Sequence, residues 1–582
     1  MLVYRDQRSL ADPRRMLSNL RSLANRFCTS GPPHDVARDM LIEVGSLEGA
    51  VLDTVFPDQD GTNPITQRLR GVSLASGHLL WHTWHANVPG SREWCARIAG
   101  CLEEIPEQWL PHEVEITVPE GYAHYAVYPE MYLEAARQCH SQLGRIDAVC
   151  LGLRSIGTSL SAAVAAALEE LGCAVESVTL RPRGHPFSRH PSLDPELTTL
   201  LRNRSRAHYL LVDEGPGISG SSFAGTAAML REWGIAEDRI LLFPSWRTDG
   251  TQLKSPVARQ HWSSHPQFNV SFEELWLRSN KFGESFPGNL EDVSAGRWRA
   301  QVFDDETEYP AVQPQHERRK YLLTPTAFRG AKKILRFAGL GEHGISKVCR
   351  AHELAEAGFQ AKPEMLAHGF LLQQFVPGVP AAQGRAEEGL LDTAARYLAH
   401  LSLEHRTEPT VSNSSLREMI AVNTAEGLGD RSSEKLLDSL PPAEWAECIV
   451  SLDGRMLPQE WIRTRSGYLK TDAIDHHDDH FFPGCQDIAW DIAAAAVELG
   501  VDQDGREHLV ERYRVLSGDR TIARRLYPYT VAYLAFRLGY TTLAASVLGD
   551  SPDGLRFSNE ALRYRCLLED RLRHGVRSGP HG

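Results

Sequence analysis

A chain of 582 residues with 42% hydrophobic side chains has room for about two to four domains and enough apolar content for buried cores. The formal charge of −13 argues against nucleic acid as the main partner through bulk electrostatics. Ten scattered cysteines with no CxxC pair exclude zinc spacing and read as free thiols of a cytoplasmic protein.

The first twenty residues carry charges throughout and contain no apolar targeting core. Apolar stretches such as 162–168 and 492–497 are too short to cross a bilayer, so no membrane partner is expected. Residues 1–110 are mixed in character. Leu41 to Val55 reads as a helix, and Trp81, Trp84 and Trp94 form an aromatic region suited to core packing.

From about residue 112 strands alternate with helices. The predicted elements are a strand at 114–118, a helix at 128–139, a strand at 149–153 and an Ala-rich helix at 160–171 ended by Gly172. A strand at 174–180 follows, then a basic loop rich in Pro and Gly, Arg181 to Arg189. The stretch His208 to Phe223, HYLLVDEGPGISGSSF, is the most informative in the chain. An apolar strand runs into Asp213 and Glu214, then into Gly217, Ile218, Ser219, Gly220, Ser221 and Ser222, and Phe223, Ala227 and Leu230 set a helical period. Successive backbone N–H groups of such a loop, with the helix dipole behind them, cradle an anion. Ionised carboxylates accept hydrogen bonds from sugar hydroxyls. A strand at 240–243 completes a mainly parallel α/β sheet.

This stretch resembles the phosphoribosyl pyrophosphate (PRPP) signature of type I phosphoribosyltransferases. The resemblance implies that Asp213 and Glu214 contact the ribose hydroxyls and the magnesium ion, and that residues 217–222 bind the 5′-phosphate. It also implies that the turn Arg154-Ser155-Ile156-Gly157, with Arg181, binds pyrophosphate. The loop 181–189 then stands where the family has its catalytic loop, with Arg183 and His185 as catalytic candidates. Arginine suits that role because its planar fork donates two parallel bonds to phosphate.

Residues 286–316 are rich in Gly, Pro and acids and read as a linker. Beyond it, 321–323 and 333–337 read as paired strands, 345–357 as a helix and 369–376 as a strand ending at Pro377-Gly378. Helices follow at 389–403, 488–499, 530–548 and about 555–572. A small sheet followed by a helical lobe resembles the aminoglycoside phosphotransferase-like kinases. Phe370 to Gly378 looks like their interlobe hinge, which places Gln374 at the ATP. Leu469-Lys470-Thr471-Asp472 looks like the strand that ends in their metal-binding Asp, and Asp487 to Ala493 like the helix start after it. Asp453, 19 residues before Asp472 (472 − 453), stands where the catalytic Asp belongs. The resemblance makes Lys333 or Lys332 the ATP anchor with Glu353 as its partner, while Arg336 holds the more central strand position. Departures from the family pattern are Ser451-Leu452-Asp453 in place of His-x-Asp, the lack of an Asn five residues later, where Pro458, Gln459 and Glu460 stand, and the lack of a Gly-rich nucleotide loop. The run Asp475-His476-His477-Asp478-Asp479-His480 either extends the Mg²⁺-facing loop or forms its own metal site.

The fold class expected is α/β: a parallel-sheet phosphoribosyltransferase-like domain at 111–285 followed by an α+β, two-lobed kinase-like domain at 317–582. The function expected is a phosphoribosyltransferase-type enzyme that takes PRPP or a related ribose phosphate with Mg²⁺ and an unidentified acceptor, fused to a kinase-like domain that takes ATP. A homo-oligomer is compatible with this reading. Two alternatives stand beside it. One is a non-catalytic regulatory protein that senses PRPP or a nucleotide. The other is a nucleoside or antibiotic kinase with a ribosyl-recognition domain.

Overall fold

The strand–helix rhythm that starts near residue 112 is realised as four parallel strands. The computed structural model describes residues 1–4, 7–326, 330–384, 386–442, 445–481 and 483–574. It divides into a front unit, Arg8–Pro287 with Gly339–Gly341, and a rear unit, Gly288–Ala338 and Glu342–Gly582 with Met1–Gln7.

In the front unit the short strands β1 (Arg8–Ala11) and β2 (Val114–Thr117) pair antiparallel. The strand expected at 114–118 therefore lies outside the parallel sheet. That sheet contains β3 (Asp147–Leu153), β4 (Ala174–Leu180), β7 (His208–Val212) and β8 (Ile240–Phe243) in the order β4-β3-β7-β8. Between β4 and β7 the basic loop folds into a small hairpin, β5 (Arg183–His185) and β6 (Ser188–His190). The central strands β3 and β7 are apolar and buried along nearly their whole length, as a sheet covered on both faces requires.

Residues 8–110 belong to this unit as a helical layer: α1 (Pro13–Phe27), α2 (His34–Val55), α3 (Pro64–Trp84) and α4 (Val88–Glu103). Asp12 caps α1 through the Arg14 N–H at 2.9 Å, and Asn63 and Thr66 form a capping box on α3. Leu47, Leu69, Leu79, Ile98 and Val114 share one core. Helices α5 (Pro129–Leu143) and α6 (Gly157–Glu170) complete the packing. Residues 157–168 of α6 are buried all round, consistent with its Ala-rich composition. Trp94 stacks on His78 with ring centroids 4.0 Å apart. Helix α7 (Ser221–Glu232) follows the Gly/Ser loop.

In the rear unit β9 (Gly288–Asp292), β10 (Lys320–Pro325), β11 (Lys333–Phe337), β12 (Pro363–Ala367) and β13 (Phe370–Gln374) form an antiparallel sheet in the order β12-β13-β11-β10-β9. The stretch 286–316, read as a linker, instead supplies edge strand β9, registered Asp292 to Tyr321, and a run of short turns. Its charges are spent locally: Arg299 bonds the Asp553 carboxylate at 2.6 and 3.1 Å. Helix α8 (Glu342–Glu356) packs beside the sheet.

The helical lobe contains α9 (Glu388–Glu404), α10 (Asn413–Leu428), α11 (Ala489–Glu498), α12 (Gln503–Ser517), α13 (Ile522–Leu548) and α14 (Pro552–His574). Short strands β14 (Val379–Pro380), β15 (Ile449–Val450), β16 (Trp461–Thr464), β17 (Gly467–Lys470) and β18 (Gln486–Asp487) carry the loops of interest. Helix α13 is long and apolar enough to cross a membrane by length and composition, and 67% of its apolar window is buried inside the unit. Residues 1–4 join this lobe. The Leu2 N–H donates to Asn423 Oδ1 at 2.5 Å, and the Asn423 amide donates to the carbonyls of Leu2 and Ala535.

Candidate functional site

In the front unit the candidate ligand residues gather at the C-terminal ends of β3 and β7, where open α/β sheets bind ligands. A Cβ on Gly157 would lie 2.6 Å from the Val212 carbonyl and 3.2 Å from Asp213 Oδ1, so only glycine lets the turn 154–157 approach the acids this closely. Tyr132 donates its hydroxyl to the Asp213 carbonyl at 2.7 Å, and the Gly121 N–H donates to Glu214 Oε2 at 3.0 Å. Burial pushes the Asp213 carboxyl up to about 6 against the pull of Arg181 and Arg189. Burial, then the charges of Glu120 and Asp213, push Glu214 up to about 8. The loop after them turns through Gly217 and Gly220, both at positive φ, with Gly220 (φ 66°) opening α7. Gly217 and Ile218 are exposed. Ser219 and Ser221 share a 3.1 Å hydroxyl contact, Ser221 donates to the Pro186 carbonyl at 2.7 Å, and Arg189 reaches Ser222 Oγ at 3.4 Å.

Glu214 makes stability depend on pH in a defined direction. Its pKa is about 8 folded and near 4.5 unfolded, so between those values the folded state holds a proton that the unfolded state has lost. Stability of the front unit is therefore expected to fall as pH rises from 4.5 to 8, by at most about 5 kcal/mol and less where water reaches the carboxyl. Glu214→Gln should flatten that slope in chemical denaturation measured across the range. An unchanged slope would show that Glu214 ionises normally.

The arginines assigned to pyrophosphate are placed differently from the expectation. Arg154 is buried against β4, with Nε 2.8 Å from Asp53 and Nη2 2.5 Å from Asp60. Arg181 pairs with Asp53, donates its N–H to Asp60 Oδ2 at 2.8 Å and reaches the Arg154 carbonyl at 2.9 Å. Arg183 bonds the carbonyls of Phe56, Pro57 and Arg181 and lies 3.1 Å from Asp60. Two carboxylates, Asp53 from the last turn of α2 and Asp60 from the segment after it, thus engage the three guanidinium groups as a pyrophosphate would. His185 stands exposed at the tip of the β5–β6 hairpin, where its Nδ1 accepts the Phe187 N–H. Ser155 is exposed on the turn and Ile156 is buried in it.

The rear unit gathers a denser set. Asp453 follows β15 and is fully buried. Its Oδ2 lies 3.0 Å from Lys470 Nζ and accepts the Tyr397 hydroxyl at 2.8 Å. The same lysine reaches Glu460 Oε2 at 2.5 Å. Asp491, at the start of α11, accepts the backbone N–H groups of Asp453 and Gly454, each at 2.7 Å, and so fixes the loop. His476 spans the cluster, with Nδ1 3.6 Å from Asp453 and Nε2 3.7 Å from Asp472. Asp472 and Asp475 both pair with Arg336, Arg318 lies 3.5 Å from Asp475, and Asp479 lies between Arg318 and Arg455. Burial alone would raise the Asp453 carboxyl, but Lys470 and His476 hold it well below the usual range. Burial lowers His476, yet the charge of Asp472 and the contact with Asp453 bring it up to about 9. Burial and the charge of Asp453 push Asp491 up to about 7.

Lys333 and Glu353 are not brought together. Lys333 pairs with Glu364, and Glu353 lies 3.8 Å from His405. Side chains alternate along a strand, so Lys333 and Arg336, three positions apart on β11, face opposite ways, and only Arg336 meets the acids. Gln374 closes β13 and lines a cleft of about 1310 Å³ with Phe375 to Gly378, the β16–β17 turn and Leu469. Asp487 stands apart from the cluster: it accepts the N–H groups of Glu447, Cys448 and Ala489 and pairs with Arg525 at 3.0 Å. Sequence reasoning did not give roles to Lys470, Glu460, Tyr397 or Asp491. Lys470 carried a signal, because alternation puts it on the same strand face as Asp472.

For a hard divalent cation the fitting donors are the carboxylates of Asp472 and Asp475, whose ligand atoms lie within 4.8 Å of one another and of His476. Asp472 Oδ1 and Asp475 Oδ2 are buried and have charged neighbours but no hydrogen bond among the described residues. The set Asp453, Glu460 and His476 is equally tight, but Lys470 already lies between its two carboxylates.

No family model matches the chain, and no curated protein does. Among solved structures it is similar to the choline kinase LicA from Streptococcus pneumoniae, at 13% identity over 51% of this chain and 100% of that one, with a TM-score of 0.33. It is similar to a choline/ethanolamine kinase family protein from Mesorhizobium loti, at 15% identity over 50% of this chain and 94% of that one, TM-score 0.33. The macrolide 2′-phosphotransferase MphH from Brachybacterium faecium aligns at 12% identity over 52% of this chain and 97% of that one, TM-score 0.32.

Proposed function

We propose that this chain is a small-molecule phosphotransferase whose front unit recognises a ribosyl phosphate. The observation that carries the reading is the convergence of Asp453 and Asp472 on one buried histidine, His476, beside Lys470. Asp453 is fixed by Asp491 and Tyr397 and held ionised by Lys470, so it orients an acceptor hydroxyl and accepts its proton as the phosphoryl group arrives. Lys470 places a cation beside that transfer and steadies the negative charge of the moving group. Asp472 and Asp475 would hold Mg²⁺, which when bound neutralises the polyphosphate oxygens. The cleft lined by Gln374 to Gly378 would take the nucleotide base.

In the front unit, Asp213 and Glu214 suit ribose hydroxyls, and residues 217–222 at the start of α7 suit a phosphate monoester. Arg154, Arg181 and Arg183 are engaged by Asp53 and Asp60 and are not available to a leaving pyrophosphate. Recognition of a ribose monophosphate therefore fits the site better than glycosyl transfer from PRPP. The ten cysteines are free thiols, which suits a cytoplasmic setting.

The test is ATP-dependent phosphorylation of ribose 5-phosphate and nucleoside 5′-monophosphates, followed by mass spectrometry. Turnover should require Asp472, and Asp213→Asn should weaken calorimetric binding of ribose 5-phosphate to the front unit about tenfold or more with ATP affinity unchanged. Absence of ATP binding in calorimetry would overturn the phosphotransferase reading. Pyrophosphate release from PRPP would restore the glycosyltransferase one.

A further inference from the structure

We propose that Arg336 guards the Asp472–Asp475 carboxylate pair against free divalent metal and yields it to a nucleotide polyphosphate, so that metal enters only with or after the nucleotide. The inference rests on the phosphotransferase reading and concerns the order of binding at that same site.

Arg336 stands on β11, next to the hinge strand β13, and is buried. One guanidinium nitrogen pairs with Asp472 and another with Asp475, so both acids suited to a metal are already engaged by this side chain, and Arg318, 3.5 Å from Asp475, adds a second cation. The wider cluster is close to charge balance. Asp472, Asp475 and Asp479 face Arg336, Arg318 and Arg455, while Lys347 lies 3.5 Å from Asp478 and His476 stands between Asp453 and Asp472. A dication entering this set would meet two obstacles. The ligand oxygens it needs at about 2.0–2.1 Å are those that Arg336 contacts. Its charge would also add to a cation held in low dielectric against the same carboxylates.

The arrangement is only partly hydrogen-bonded: Arg336 Nη2 donates to Asp475 Oδ1. Arg336 Nε, Asp472 Oδ1 and Asp475 Oδ2 are all buried without a hydrogen-bond partner among the described residues. A buried pair left short of hydrogen bonds is stabilised less than its charges suggest and can exchange partners. A polyphosphate offers the planar guanidinium a bidentate partner and brings the negative charge that a metal needs. Lys333 cannot replace Arg336 in this, because it faces away and pairs with Glu364.

The experiment follows Mn²⁺ binding by electron paramagnetic resonance of the free ion, in the full-length chain, with and without ADP. The expected result for wild type is weak Mn²⁺ binding alone and at least tenfold tighter binding with ADP, with ADP itself binding in EDTA. Arg336→Gln should bind Mn²⁺ without ADP at least tenfold more tightly than wild type, with a thermal melt confirming its fold. Arg336→Lys, which keeps one charge but cannot bridge both acids, should fall between. Wild type that binds Mn²⁺ equally well with and without ADP, while still binding ADP, overturns the proposal alone. A chain that binds no adenine nucleotide under any condition overturns the phosphotransferase reading and this inference with it. The wild-type comparison decides the matter even where the variants fail to fold.

Discussion

Asp453→Asn is expected to lower the rate of phosphoryl transfer by about two to four orders of magnitude while leaving nucleotide affinity within a few-fold of wild type. Asparagine keeps the shape of the side chain and can still accept the Tyr397 hydroxyl that now lies 2.8 Å from Oδ2. It cannot accept a proton at neutral pH. The loop should hold, because Asp491 ties it through the N–H groups of Asp453 and Gly454, and Lys470 retains Glu460. The loss should therefore appear in the chemical step, measured by single turnover with saturating ATP, and not in unfolding. A rate within tenfold of wild type would remove Asp453 from the chemistry and leave it a structural anchor for Lys470.

Asp60→Ala should be the most destabilising single change in the front unit, by about 3–5 kcal/mol, because it strands buried positive charge. Asp60 is almost completely buried and receives Arg154, Arg183 and the Arg181 N–H. Asp53 remains beside Arg154 and Arg181, so the network is weakened and not abolished. Asp53→Ala, at a more exposed position, should cost less. Replacing Arg154 and Asp60 together by Met and Leu should recover part of the loss, since the buried Arg154 charge goes with its partner and Arg183 keeps its carbonyl partners. Urea unfolding followed by tryptophan fluorescence would measure the series. A cost below about 1 kcal/mol for Asp60→Ala would mean that water reaches these guanidinium groups.

The parts of the fold legible in the sequence were those written by local pattern. The apolar run 210–212, the adjacent acids Asp213 and Glu214 and the glycines after them marked a strand, its end and a loop, because each depends on neighbours in the chain. The roles of Arg154, Arg181 and Arg183 were not legible. Their partners lie more than ninety residues away in sequence, in a helical segment with no motif of its own. The same holds for the edge strand β9, whose Gly, Pro and acidic composition reads as a linker until β10 pairs with it. In the rear unit the spacing of Asp453 and Asp472 was readable, whereas the choice of Arg336 over Lys333 depended on strand alternation, a finer signal than the presence of a lysine.

The placement of the first few residues sets an order of events in synthesis. Leu2 and Val3 leave the ribosome long before Asn423 and Ala535, yet they are bonded or buried in the lobe those residues build. The stretch that directly follows them folds into the other unit. A nascent chain grows from its N-terminus, so the helical lobe cannot close around residues 2 and 3 until Ala535 has been made. The front unit, whose residues up to 287 emerge first, can pack while the remainder is still being translated.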